Sequence, residues 1–147
     1  MTSQDSIIYL EFDVFATAPC FHLKICMNEN TVWSSSLSET HQHVKIPIND
    51  DDDRAHQIAW VLSGKTTDHT KQDQHGNLIE DPLAYISNIT LDGADITKIM
   101  WQHAVYSHDF NGTNESVADK FFGCMGCNGI LALEFETPVY PWMLERF

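Results

Sequence analysis

Apolar and polar residues alternate along most of this chain. Ile8, Leu10, Phe12 and Val14 interleave with Tyr9, Glu11 and Asp13, and Phe21, Leu23, Ile25 and Met27 interleave with His22, Lys24 and Cys26. A two-residue period puts one set of side chains on a dry face and the other on a wet one, which predicts strands. Val44, Ile46 and Ile48 repeat it opposite His41, His43 and Lys45, as do Ile58, Trp60 and Leu62, the stretch Leu83 to Leu91, and Leu131, Leu133 and Phe135. Met100 to Phe110 also reads as strand.

The breaks have turn chemistry. Ala18-Pro19, Asn28-Glu29-Asn30, Ser63-Gly64, Asp92-Gly93 and Asn111-Gly112 fall between the runs, and Asp50 to Asp53 place four like charges side by side, as a solvated loop would. Only Asn114 to Phe122 resembles a helix, with Asn114 placed to cap it and Gly123 to end it. Pro138 and Pro141 exclude a regular strand in the aromatic tail from Thr137 to Phe147. Short strands with frequent turns and at most one short helix predict an all-β, antiparallel β-sandwich or jelly roll of about eight or nine strands. The 147 residues, 43% of them apolar, are expected to form one domain, 1–147.

Charge narrows the partners. Eight Lys and Arg against 21 Asp and Glu give a net charge of −13, whose field repels phosphate backbones, so no nucleic acid is expected. No apolar run is long enough to span a membrane, and Met1 to Asp5 lacks the pattern of a signal peptide. The expectation is a chain kept in the cytoplasm of a host cell or built into a virion, with the thiols of Cys20, Cys26, Cys124 and Cys127 reduced.

The candidate chemistry is sparse. Cys124-Met125-Gly126-Cys127 has half the donors of a tetrahedral zinc site, and His41 with His43, on one side of one strand, is the pair that could complete it. Asp68, Asp73, Asn77 and Asp81 supply hard oxygens of the kind calcium prefers, though not in EF-hand order. Trp33 and Trp101 are candidates to present flat rings to a sugar, and Glu11 with Glu134 or Glu136 is the carboxylate pair available for hydrolysis. No nucleophile elbow or phosphate-cradling loop is present.

Two resemblances add to this. From Ala55 to Gly93 the order is a strand (His56 to Leu62), a polar loop ending at Asp81, and a second strand (Leu83 to Leu91) closed by Asp92-Gly93. It resembles the closing half of calcium-dependent carbohydrate-binding modules of the xylan-binding type. That resemblance implies a glycan-binding loop with a calcium ion, although Gly64-Lys65 stands where those modules place an Asn-Asp pair, so Asp81 alone is carried over. Ser63-Gly64-Lys65-Thr66, Asp68-His69-Thr70-Lys71, Met125-Gly126-Cys127-Asn128-Gly129 and the Pro-broken tail are similar to small uncharacterised proteins of marine tailed phages and ocean metagenomes, which implies a virion or host-interaction role.

The resulting expectation is a non-enzymatic β-sandwich, carbohydrate-binding-like or structural in a virion, acting as a homo-oligomer through its tail. The alternative is a small metal-dependent enzyme built on Cys124, Cys127 and the histidines.

Overall fold

The computed structural model describes residues 6–66, 71–72, 74–76, 78–108 and 115–146. Thirteen strands occur among them: β1 (Ile7–Ala16), β2 (His22–Met27), β3 (Asn30–Ser36), β4 (Gln42–Asn49), β5 (Arg54–Ser63), β6 (Lys71–Gln72), β7 (Leu78–Glu80), β8 (Ala84–Leu91), β9 (Ala94–Asp95), β10 (Val105–His108), β11 (Val117–Lys120), β12 (Cys124–Met125) and β13 (Gly129–Thr137). Two short helices, α1 (Thr97–His103) and α2 (Val139–Leu144), complete the order. None of the helices is long and apolar enough to cross a membrane.

All pairings are antiparallel. One sheet runs β12-β8-β1-β4 with β9 beside β8, the other β11-β10-β13-β5-β2-β3, and β6 with β7 forms a separate ribbon. The inward positions of β1, Ile8, Leu10, Phe12, Val14 and Ala16, are all buried, as the alternation predicted. They meet Ile25, Ile58, Trp60, Leu62, Leu131 and Leu133 of the other sheet in one core, where Phe12 and Trp60 cross edge to face with centroids 5.7 Å apart. The expected class, an antiparallel β-sandwich, is the observed one.

The expected turns at Asn28-Glu29 and Asp92-Gly93 also hold, and Asn111-Gly112 lies outside the described residues. Asn28 and Glu29 both have positive φ between β2 and β3, and Asp92 with Gly93 does the same between β8 and β9, as two-residue hairpins joining right-twisted strands require.

Two local expectations are corrected. The stretch Met100 to Phe110 is not one strand: Thr97–His103 is helical and buries Ile99 and Met100, and among its described residues only Val105–His108 forms a strand. The predicted helix from Asn114 to Phe122 is replaced by β11, whose pairing with β10 satisfies its backbone in the sheet, and two turns of helix offered less. The tail forms α2 and packs on its own chain, burying Val139, Trp142 and Met143, with Trp142 edge-on to Phe135 of β13. The acidic run before β5 holds that tail: Asp50 accepts a hydrogen bond from the Val139 amide at 2.8 Å, and Asp52 accepts one from the Thr137 hydroxyl at the same distance.

Candidate functional site

The site is set by a register slip in β8. Glu11 pairs with Thr90 and Asp13 with Ser87, so β8 carries one more residue than β1 over this interval. That extra residue is a β-bulge, with Asn88 in the left-handed region at φ 53° and both Ser87 and Asn88 turned outward before Ile89 re-enters the core. Asparagine tolerates this conformation better than most residues. The bulge aims its amide along the outer face, where Nδ2 donates to Asp13 Oδ2 at 2.8 Å.

Asp13 is the centre of a small charged array. His43 of β4 donates from Nδ1 to Asp13 Oδ1 at 2.7 Å and from Nε2 to Glu11 Oε1 at 3.0 Å. The Asn88 amide and then the His43 ring hold the Asp13 carboxyl below the usual range, while the bonds to Glu11 and Asp13 raise His43. One row further along the same face, Phe15 lies between His41 (centroids 4.1 Å, planes at 14°) and Tyr85 (5.1 Å, 12°), a stacked aromatic ledge.

The other side of the bulge opens on a cleft. The far edge of β8 is paired by β12 at Ala84 and Tyr85 and by β9 at Thr90 and Leu91, which leaves the interval between them to α1 and the segment around Phe121. Asp95 starts that helix by accepting from the amide and hydroxyl of Thr97. The cleft there is about 270 Å³, floored by Ile89, Met100 and Phe121, rimmed by Ser87, Asn88 and Thr97, and walled by Trp101. Trp101 is 41% exposed and Phe122 67% exposed, and the rings meet edge to face at 6.2 Å.

An apolar floor, a few polar groups and a flat exposed ring form the chemistry that takes up a ring with one apolar face and several hydroxyls. A larger hollow of about 650 Å³ lies on the outer face of the second sheet over Val105, Ile130 and Ala132, but no Trp, Tyr or Phe lines it.

The residues singled out in sequence are dispersed. Trp101 stands at the cleft. Trp33 is on β3 of the second sheet, half-buried and packed against the core. Asp68, Asp73 and Asn77 lie outside the described residues, whereas Asp81 is bonded to the ammonium of Lys65. Cys124 and Cys127 are not joined to His41 and His43: Phe15 and Tyr85 stand between His41 and the β12 strand that carries Cys124, and both ring nitrogens of His43 are engaged by carboxylates. Among the described residues, no group of three or more His, Cys, Asp and Glu is placed to hold a metal ion. Glu11 projects from the first sheet, and Glu134 and Glu136 from the outer face of the second, so they form no hydrolytic pair.

Sequence reasoning missed Asn88, Phe122 and the Phe15–Tyr85 ledge. A signal for the first was present: Ile86 and Ile89 are three residues apart where a regular strand would space them by two.

No family model and no curated protein sequence matches this chain. Among solved structures it is similar to the selenomethionine form of vCBM60, described with two families of calcium-dependent carbohydrate-binding modules linked by circular permutation. The TM-score is 0.50 at 9% identity, covering 86% of this chain and 89% of that one. vCBM60 in complex with galactobiose also matches, with a TM-score of 0.46 and 12% identity over 86% and 96% of the two chains. The first likeness shows a shared β-sandwich fold.

Proposed function

We propose that this chain is a non-catalytic carbohydrate-binding module that seats a glycan ring on Trp101 in the cleft beside the Asn88 bulge. The observation carrying this reading is an exposed indole, in edge-to-face contact with an exposed phenyl ring, that walls a polar-rimmed cleft at the edge of the first sheet. A large aromatic left two-fifths exposed loses burial that the core could have supplied, and contact with a ligand recovers it. Asn88, Ser87 and Thr97 supply donors and acceptors for hydroxyls at the rim.

The carboxylate pair that sequence offered for hydrolysis, Glu11 with Glu134 or Glu136, is divided between the two sheets, which favours binding over hydrolysis. The module of similar fold is described as calcium-dependent, so calcium is a proposal for this chain too, to be tested by pairing every measurement with a chelator.

The experiment is a glycan array probed with and without calcium, followed by calorimetric titration of the best hit into wild type, Trp101→Ala and Asn88→Ala. Binding that survives in folded Trp101→Ala would remove the cleft from the reading. An array blank in both conditions would remove the glycan itself.

A further inference from the structure

At the far end of β8 from the hairpin, three segments meet around one buried ammonium. The chain leaves β5 through Gly64, whose φ is +101° and whose backbone runs so close to Cys20 that a Cβ would sit 2.4 Å from the Cys20 carbonyl oxygen. Only glycine fits, and the turn delivers Lys65 into the interior. Asn128 brackets the Lys65 backbone, its side-chain oxygen accepting from the Lys65 amide at 2.9 Å and its Nδ2 donating to the Lys65 carbonyl at 2.6 Å.

The Lys65 side chain is 1% exposed. Its Nζ donates to Asp81 Oδ1 at 2.5 Å, to the Gly126 carbonyl at 2.6 Å and to the Pro82 carbonyl at 3.0 Å. An ammonium has three protons, and here three oxygens receive them. A buried ammonium would be costly alone, but one carboxylate and two carbonyl dipoles face it. A carboxylate with backbone carbonyls is also the donor chemistry that hard divalent cations take from proteins.

We propose that the Lys65 ammonium is a built-in cation: it fills an oxygen cage of the kind a calcium ion would take, and so ties the end of β5, the entry to β8 and the β12–β13 loop together without a dissociable metal. Asp81 is thereby committed to an internal partner. The proposal is independent of the glycan reading, because melting curves test it and no sugar is involved.

The experiment compares thermal unfolding in EGTA and in millimolar calcium chloride for wild type, Asp81→Asn, Lys65→Ala and the double variant. Wild type and Asp81→Asn are expected to show the same calcium shift as each other, because Asp81 does not serve an ion while Lys65 is present. Lys65→Ala opens the cage and is expected to gain stability from calcium, a rise of about 3–6 °C at roughly tenfold excess over the dissociation constant, which the double variant loses. A calcium shift in wild type that disappears in Asp81→Asn overturns the proposal, as does a folded Lys65→Ala indifferent to calcium. Should Lys65→Ala not fold, wild type against Asp81→Asn decides alone.

Discussion

His43 donates from Nδ1 to Asp13 across 2.7 Å, joining the neighbouring strands β4 and β1 on the outer face beside the Asn88 bulge. Its Nε2 faces Glu11 at 3.0 Å, so the protonated ring donates to both carboxylates, which is why its pKa is raised. A folded-state pKa raised above the ordinary 6.5 means that its contribution to stability is complete below about pH 6.5 and is lost as pH rises through the raised value. Asp13, lowered from 3.8, behaves in the opposite sense: its contribution is present above that value and lost as pH falls through the lowered one.

An NMR titration of the His43 ring should therefore have its midpoint above 6.5, and Asp13→Asn should move it down. A midpoint at or below 6.5 in wild type would sink this account of the face. The His43 side chain is 57% exposed and that of Asp13 29%, so salt should weaken the shift.

Thr137 closes a second network at the end of β13. Its hydroxyl donates to Asp52 and receives the Nε2 proton of His56 at 3.0 Å, while the other ring nitrogen of His56 accepts from Asn28 Nδ2 at 2.9 Å. His56 and Thr137 are buried, so each lost bond leaves a polar group without water to replace its partner. Thr137→Val is expected to lower stability by about 1–3 kcal/mol in urea melts, with Thr137→Ser close to wild type. The Thr137 hydroxyl is the main cause of the lowered Asp52 pKa, so the Asp52 titration should rise toward 3.8 in Thr137→Val. Valine and serine variants of equal stability would show that the network contributes nothing.

The strands were legible where alternation ran for several residues. In β1 five inward positions repeat without interruption, and a register error would have put all of them in water. The hairpins at Asn28–Glu29 and Asp92–Gly93 were legible for a similar reason, since few residue pairs adopt two consecutive positive φ values cheaply. Helix α1 was not legible: seven residues complete two turns, too few to display a helical period, and its apolar content is equally that of a strand. β11 was misread because its partner β10 is what makes it a strand.

The candidate site was half legible. Trp101 stood out as one of the flat rings that could face a sugar, but the bulge that supplies Asn88 depends on the register of β8 against β1, which the sequence of β8 does not state. Asp81 stood out as an oxygen donor. Its partner Lys65 lies 16 residues away behind a glycine turn, and only the folded chain shows that the ammonium is inside the loop rather than on the surface.

Two tryptophans separate folding from binding. Trp142 is 2% exposed, edge-on to Phe135 at 6.2 Å, with the Arg146 guanidinium 4.7 Å above its ring. Trp142→Ala should cost about 3–5 kcal/mol, because it leaves a cavity between α2 and β13 that the sheet cannot collapse to fill. Removing residues 138–147 should lower the stability of the single chain itself, since that segment covers its own core. Trp101→Ala removes a ring already partly in water, so it should cost less than about 1.5 kcal/mol and yet weaken glycan binding by at least about thirtyfold, as loss of a central aromatic contact does. Paired urea melts and calorimetric titrations of the two variants check both halves, with Trp142→Ala measured where it remains folded and expected to bind as wild type does. Equal destabilisation by the two variants would make Trp101 a structural ring, and the exposed face beside the Asn88 bulge would lose its claim to a ligand.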